Sequence, residues 1–275
     1  MRKLLSALIC AAICVSALPA IQTHAADDVI DLPILMYHNI SPKPQLWNDY
    51  AVSPEIFEGD MKYLSERGYT AVSGEQLLSW CAGECTLPGN PVMITFDDGQ
   101  ESFAEYALPI LEKYDMCAIM AVVGAFADLY TRVDDHNLDY SCLSWPALAE
   151  LAASPRVELS SHTYGMHSLD ERRGCGIKKG ESGVSYAAAL NEDLQKLENR
   201  FIEYTGTRPV MFAYPYGIAC SEARDVLCQH GYRMLFTCTE KVNHLTGDSD
   251  ELLCLGRFNR TCRADRSAFF KKMGI

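Results

Sequence analysis

Pro91-Val92-Met93-Ile94-Thr95-Phe96-Asp97-Asp98-Gly99 begins as an apolar, partly β-branched run and stops at two adjacent carboxylates. An apolar run of that length, with a Gly/Pro loop before it and Asp-Asp-Gly after it, predicts a buried strand. A second stretch has the same form: Val157-Glu158-Leu159-Ser160-Ser161-His162-Thr163-Tyr164-Gly165-Met166-His167 ends in two histidines. Outward from these two, strands and helices alternate along the chain, with no linker and no repeat. That alternation predicts parallel strands joined by helical crossovers. About eight strands, with no Gly-rich dinucleotide fingerprint and no phosphate loop, favour a distorted (β/α) barrel of about seven or eight parallel strands over a doubly wound sheet.

The elements follow from local signals. Leu32 to Tyr37 reads as the first strand, with His38 just past it. Ser53-Pro54 is a helix start, with Phe57, Met61 and Leu64 on one apolar face and Gly68 as its stop. Ser73 and Gln76 form a capping box for a helix through Trp80. Residues 101–114 read as a helix, 116–123 as a strand and 124–141 as a long loop on the active-site side. Ser144 caps a helix with Trp145 in its first turn, and Leu190, Leu194, Leu197 and Phe201 form a clear helical stripe. Pro209 to Ala213 is a predicted strand ending in Tyr214-Pro215-Tyr216-Gly217. Arg233 to Thr237 and Leu252 to Phe258 read as the last two strands, and Ser267 to Met273 as a terminal helix.

Residues 1–25 read as a cleaved signal peptide: a basic start at Arg2 and Lys3, an apolar run from Leu4 to Ala20, and small residues before Ala26. That predicts a secreted or cell-surface protein whose catalytic domain is residues 26–275, with no integral membrane segment after cleavage. The formal charge is −12, and cleavage removes two further cations. Such an acidic surface disfavours nucleic acid as a partner and suits a neutral or amine-bearing substrate. Of the twelve cysteines, Cys10 and Cys14 lie in the signal segment. Export with ten cysteines left predicts at least one disulfide.

Paired carboxylates and two histidines at strand ends suit a hydrolytic metal, which needs few protein ligands and an open position for water. Asp98, His162 and His167 supply three ligands, and Asp97 remains as the general base. The five-residue histidine spacing excludes a regular helix between them, and Gly165 lets a loop bring them together. An Asp-Asp-Gly sequence alone is usually a turn, and a lone histidine is usually structural. The pairing after two apolar strands is what carries the signal. Pro215-Tyr216-Gly217 offers a backbone N–H, that of Tyr216, for a developing oxyanion. Tyr214 and Trp145 are candidate substrate-binding residues. Basic residues Arg172, Arg173, Lys178 and Lys179 read as a solvated loop.

Thr95-Phe96-Asp97-Asp98-Gly99, Ser161-His162-Thr163 through His167, and Tyr214-Pro215-Tyr216-Gly217 resemble the first three motifs of the polysaccharide deacetylase family. Leu35-Met36-Tyr37-His38 and the histidine spacing resemble its poly-N-acetylglucosamine deacetylase branch. The resemblance spans roughly residues 32–260 and implies a carbohydrate esterase that removes acetyl groups from acetylated polysaccharide. It implies Asp97 as base, a divalent metal, usually Zn2+, on Asp98, His162 and His167, and the Tyr216 backbone as oxyanion donor. Two departures stand out. Ala213 occupies the place of an arginine that orients the base in many members, so another group must orient Asp97. The late Leu-x-His motif that supplies the general acid has no clean match; His244 lies in its region without its spacing. His38 resembles a histidine near the active site of the poly-N-acetylglucosamine branch and is the candidate for a catalytic or substrate role. Acetyl xylan, chitin and peptidoglycan are alternative substrates, and a metal-holding glycan-binding pseudoenzyme is the rival class.

Overall fold

The computed structural model describes residues 29–275; the predicted signal peptide 1–25 and its cleavage lie outside the described residues. The strands are β1 (Ile30–Leu32), β2 (Ile34–Tyr37), β3 (Asn39–Ile40), β4 (Ala51–Val52), β5 (Thr70–Ala71), β6 (Pro91–Phe96), β7 (Ala118–Val122), β8 (Val157–Ser161), β9 (Met211–Ala213), β10 (Met234–Phe236), β11 (Asn243–Leu245) and β12 (Phe258–Asn259). The α-helices are α1 (Pro54–Glu66), α2 (Gly74–Cys81), α3 (Leu108–Lys113), α4 (Gly124–Arg132), α5 (Trp145–Ala152), α6 (Gly183–Thr205), α7 (Ser221–Gln229) and α8 (Arg266–Lys272).

The central sheet runs β10-β9-β8-β7-β6-β2-β12, with β5 beside the start of β6, and every pairing in it is parallel. Its ends approach each other. Leu255, just before β12, bridges Phe236 of β10, with Thr237 N donating to Leu255 O at 2.8 Å and Leu255 N to Leu235 O at 2.9 Å. The sheet is therefore a curled, nearly closed barrel whose seam is the segment 255–257, as the strand–helix alternation predicts.

Alternation along the strands sorts the core. Leu32, Ile34, Met93, Ile119, Ala121, Met211, Met234 and Phe236 pack together in one cluster with Val72, Leu77 and Trp80, so α2 plugs the barrel. Leu35, Ile94, Phe96, Met120 and Val122 face the other way, against α1, α3, α5 and α8. Ser53 caps α1, its Oγ accepting from Ile56 N at 3.1 Å, and Gly68 at φ +72 ends it in the left-handed region that glycine adopts without strain. Ser73 and Gln76 close the predicted capping box on α2.

Three stretches differ from the sequence reading. Half of the predicted 124–141 loop is α4, which carries no side-chain N-cap and so announces no start. The predicted strand from Leu252 to Phe258 is a 3-10 turn over Ser249–Cys254 followed by the short β12. The strand β11, absent from the sequence reading, pairs antiparallel with β1.

Candidate metal centre and active site

Asp97 N donates to Tyr37 O at 3.0 Å, extending the β2–β6 ladder by one step. Asp98 then takes φ +70, a left-handed turn uncommon outside glycine. That turn releases the period-two alternation of the strand, which otherwise sends neighbouring side chains to opposite faces. The β8 end repeats the device: His162 N donates to Val122 O at 2.9 Å, and Thr163 turns to φ +68. His162 Nδ1 lies 2.8 Å from Ala213 O, and a carbonyl only accepts, so this nitrogen carries the proton and Nε2 keeps its lone pair. His162 Nε2 is 3.6 Å and His167 Nε2 3.1 Å from Asp98 Oδ1. Ligand atoms of Asp98, His162 and His167 all fall within 4.8 Å of one another.

The residues present fit a divalent cation. Asp98 Oδ1 is buried and takes no hydrogen bond despite its two imidazole neighbours. Two imidazoles and a carboxylate are a common donor set for a hydrolytic metal, leaving a position for water. Burial lowers the His162 pKa, against the pull of Asp97 and Asp98, and so favours the neutral ring that a ligand needs. Burial would raise the Asp98 carboxyl, but the imidazoles of His167, His38 and His162 hold it below its ordinary value.

The loop between the histidines is held from three sides. Asp193 of α6 accepts from Tyr164 N and Gly165 N, each at 2.7 Å. Gly124 N and Ala125 N, at the start of α4, donate to Thr163 O and Tyr164 O at 3.0 and 2.8 Å. Gly124 is what permits this approach, since a Cβ there would lie 2.6 Å from the Tyr164 ring. Tyr164 Oη donates to Asp128 Oδ2 at 2.7 Å. The five-residue spacing is thus a fixed loop, as Gly165 and the non-helical spacing predict.

Asp97 is gripped by a residue the sequence reading did not single out. Arg257 donates from Nη1 to Oδ1 at 2.7 Å and from Nη2 to Oδ2 at 2.8 Å, a bidentate fork with both side chains buried. Arg257 belongs to the barrel seam, and its Nε donates to Thr237 O at 3.1 Å. It supplies the orienting cation that Ala213 cannot. Burial alone would raise the Asp97 carboxyl, but Arg257, then His162 and His38, hold it well below the usual carboxylate range. Its one available signal in the sequence is an arginine set among apolar neighbours, Leu255-Gly256-Arg257-Phe258.

His38 and Tyr216 join the same mouth. His38 acts electrostatically on both Asp97 and Asp98, its Nδ1 is buried without a partner, and its ring meets Tyr50 at 5.0 Å. Tyr216 stands at φ +58 in a turn closed by Gly217 N to Tyr214 O at 2.9 Å and Ile218 N to Pro215 O at 3.1 Å; neither bond uses the Tyr216 N–H. Its ring lies 4.7 Å from that of His167.

Three residues fall elsewhere. Trp145 is wholly buried, its indole N–H donating to Asp128 Oδ1 at 2.7 Å and its ring packed on Phe201 and Tyr204, so it has no face for substrate. Tyr214 is also buried, against Phe212 and in a cluster with α6 and α7, and is not a substrate wall. His244 lies on β11 beside Asp31, remote from the mouth.

With this geometry in view, the family profile named polysaccharide deacetylase matches residues 85–235, more than half of the chain. The chain belongs to the polysaccharide deacetylase family. It is similar to the poly-beta-1,6-N-acetyl-D-glucosamine N-deacetylase of Escherichia coli K12, 28% identical over an alignment of 222 residues that covers 74% of this chain and 33% of that protein. The chain therefore spans about a third of the length of that relative. Among solved structures, IcaB from Ammonifex degensii is 26% identical with a TM-score of 0.70, covering 89% of this chain and 96% of that one. The Streptococcus pyogenes deacetylase PplD, solved with acetate, shares the fold: TM-score 0.70 at 20% identity, covering 90% of this chain and 99% of that one.

Proposed function

We propose that this polysaccharide deacetylase is an exported, metal-dependent enzyme that removes acetyl groups from an N-acetylglucosamine polymer, with Asp97 as general base. The observation that carries the reading is the convergence of three ligand atoms within 4.8 Å beside a carboxylate fixed by Arg257. Asp98, His162 and His167 would hold a divalent cation, Zn2+ by the donor set, which when bound acidifies water and polarises the acetyl carbonyl. Asp97, kept ionised by Arg257, accepts the proton of the attacking water. The Tyr216 backbone N–H serves the oxyanion that develops on the acetyl oxygen. As the C–N bond breaks, His38 gives the departing amine its proton, and acetate and a free amino sugar remain. The E. coli relative's name supports the choice of glycan, and the apolar run at residues 4–20 supports export.

The test is acetate release from β-1,6-linked N-acetylglucosamine oligomers, chitin oligomers, acetyl xylan and peptidoglycan fragments, before and after chelation. The expected result is release from the β-1,6-linked oligomers, abolished by chelator and restored by zinc. Metal-loaded protein that binds the oligomers and releases no acetate from any of the four would establish the pseudoenzyme instead.

A further inference from the structure

A proton-donating imidazole is usually aimed by a hydrogen bond on its second ring nitrogen. His38 lacks that aid: its Nδ1 is buried without a partner. The place of the ring is therefore set by the backbone that carries it.

That backbone is held from the β6 side. β2 and β6 pair in register, Tyr37 against Phe96, so His38 and Asp97 leave the ladder side by side. Ser102 is wholly buried just beyond. Its Oγ donates to Asn39 Oδ1 at 2.6 Å and accepts from Ile40 N at 3.2 Å, on the two residues that follow His38. Asn39 Nδ2 in turn donates to Asp139 O at 3.1 Å. Ser102 stands directly before a helical turn, Phe103–Ala107, where a serine hydroxyl usually caps the turn's own N–H groups. Here it makes no such bond, so local helix capping does not account for it. The turn has π geometry and runs straight into α3, an arrangement that recurs at functional sites. Rings beside these residues lock the same three places together: Phe96 stacks on Tyr37 at 5.2 Å and meets Phe103 edge-on at 4.8 Å. Tyr37 precedes His38, Phe96 precedes Asp97 and Phe103 follows Ser102.

We propose that Ser102 is a positioning residue for the proton donor: its hydroxyl ties the backbone after His38 to the chain after Asp98, so that the His38 imidazole meets the amine as it leaves. The proposal rests on the deacetylase reading above, in which His38 gives that proton. Without the hydroxyl, Ile40 N and Asn39 Oδ1 lose a buried partner and the segment is freed. Only one kind of bond cleavage should feel the change. An amine does not leave as its anion, so C–N cleavage needs the proton of His38. 4-Nitrophenolate leaves as the anion, so C–O cleavage of 4-nitrophenyl acetate does not need it.

The experiment measures kcat and KM for a β-1,6-linked N-acetylglucosamine pentamer and for 4-nitrophenyl acetate, in the parent, Ser102→Ala, Asn39→Ala and His38→Gln at equal zinc content. His38→Gln should lose the pentamer reaction and keep the ester reaction, the mark of a missing proton donor. Ser102→Ala and Asn39→Ala should show the same mark more weakly: pentamer kcat falls by about 10- to 100-fold, the scale of a slightly misplaced group, while pentamer KM and ester kcat stay at the parent's values. A Ser102→Ala variant that loses both reactions in equal proportion, loses neither, or loses the pentamer reaction through KM overturns the proposal. Should Ser102→Ala not fold, Asn39→Ala decides by the same criteria. A His38→Gln variant that loses both reactions alike refutes the donor role itself, and a parent that releases no acetate refutes the deacetylase reading. In either case the hold on His38 is still read from its 15N imidazole resonance, assigned by its loss in His38→Gln. Broadening or splitting of that signal in Ser102→Ala upholds the hold, and an unchanged signal overturns it.

Discussion

Arg257 and Asp97 face each other as a buried, bidentate ion pair, and removing one partner strands the other charge. Arg257→Met should cost about 3–5 kcal/mol at neutral pH, read by denaturant unfolding. The sign of its pH dependence follows from the carboxyl. Folding lowers the Asp97 pKa, so the pair stabilises fully above the ordinary carboxylate range and loses that stabilisation as pH falls towards the depressed value. In Arg257→Met burial becomes the dominant influence and raises the carboxyl, so acid neutralises the stranded group. The deficit should be smaller at about pH 4.5 than at about pH 7, and an equal deficit at both would contradict the pairing. At this scale the sequence revealed the groups that the fold brings together, because Asp97, Asp98 and His162 sit directly past strand ends and His167 follows on the Gly165 loop. It did not reveal Arg257, whose partner lies 160 residues away. Trp145 and Tyr214 misled for the opposite reason: an aromatic side chain reads alike whether it faces a pocket or a core.

At the scale of elements, the loop that carries His162 and His167 is held by α6, a helix that supplies none of the three candidate ligands. Asp193 lies on the buried face of α6, one position before Leu194 of the apolar stripe, and its carboxylate takes both loop N–H groups. An acid on an apolar helical face was the available clue, and periodicity alone gives no reason to prefer a partner for it. Asp193→Asn presents one N–H2 where an acceptor is needed, so one loop bond is lost. Zinc affinity should weaken by about 10- to 100-fold, the range for outer-shell partners, as measured by competition with a chelator. Unchanged affinity would show that α4 alone fixes the loop. The helices with caps, α1, α2 and α5, were legible from Ser53, Ser73 and Ser144. The uncapped α4 was not, and the apolar run before β12 did not distinguish strand from 3-10 turn.

For the whole molecule, strand–helix alternation was enough to predict the barrel, since parallel strands need crossovers and only a few arrangements bury both faces. How the barrel closes was not legible: the seam 255–257 is irregular and pairs through single bridges. The cysteine reading changes as well. All ten cysteines among the described residues are free thiols, so the expected disulfide is absent. Burial pushes the Cys81 and Cys117 thiols up to about 11 and Cys142 to about 12, which disfavours the thiolate needed for exchange. Thiol counting on the chain from residue 26 should give ten reactive groups in denaturant without reductant, and slow reaction of the buried ones in the native state. Eight or fewer would mean that a disulfide forms after all.

The central claim is that Asp97 moves the proton while Asp98 holds the metal. Acetate release by Asp97→Asn, at a zinc content matched to the parent, tests it most directly. Asparagine keeps the size of the side chain and cannot accept the proton of water at neutral pH. The account predicts that the variant binds zinc as the parent does and loses about 100- to 10,000-fold in turnover. Parental turnover at equal zinc content would contradict it, and so would loss of the zinc.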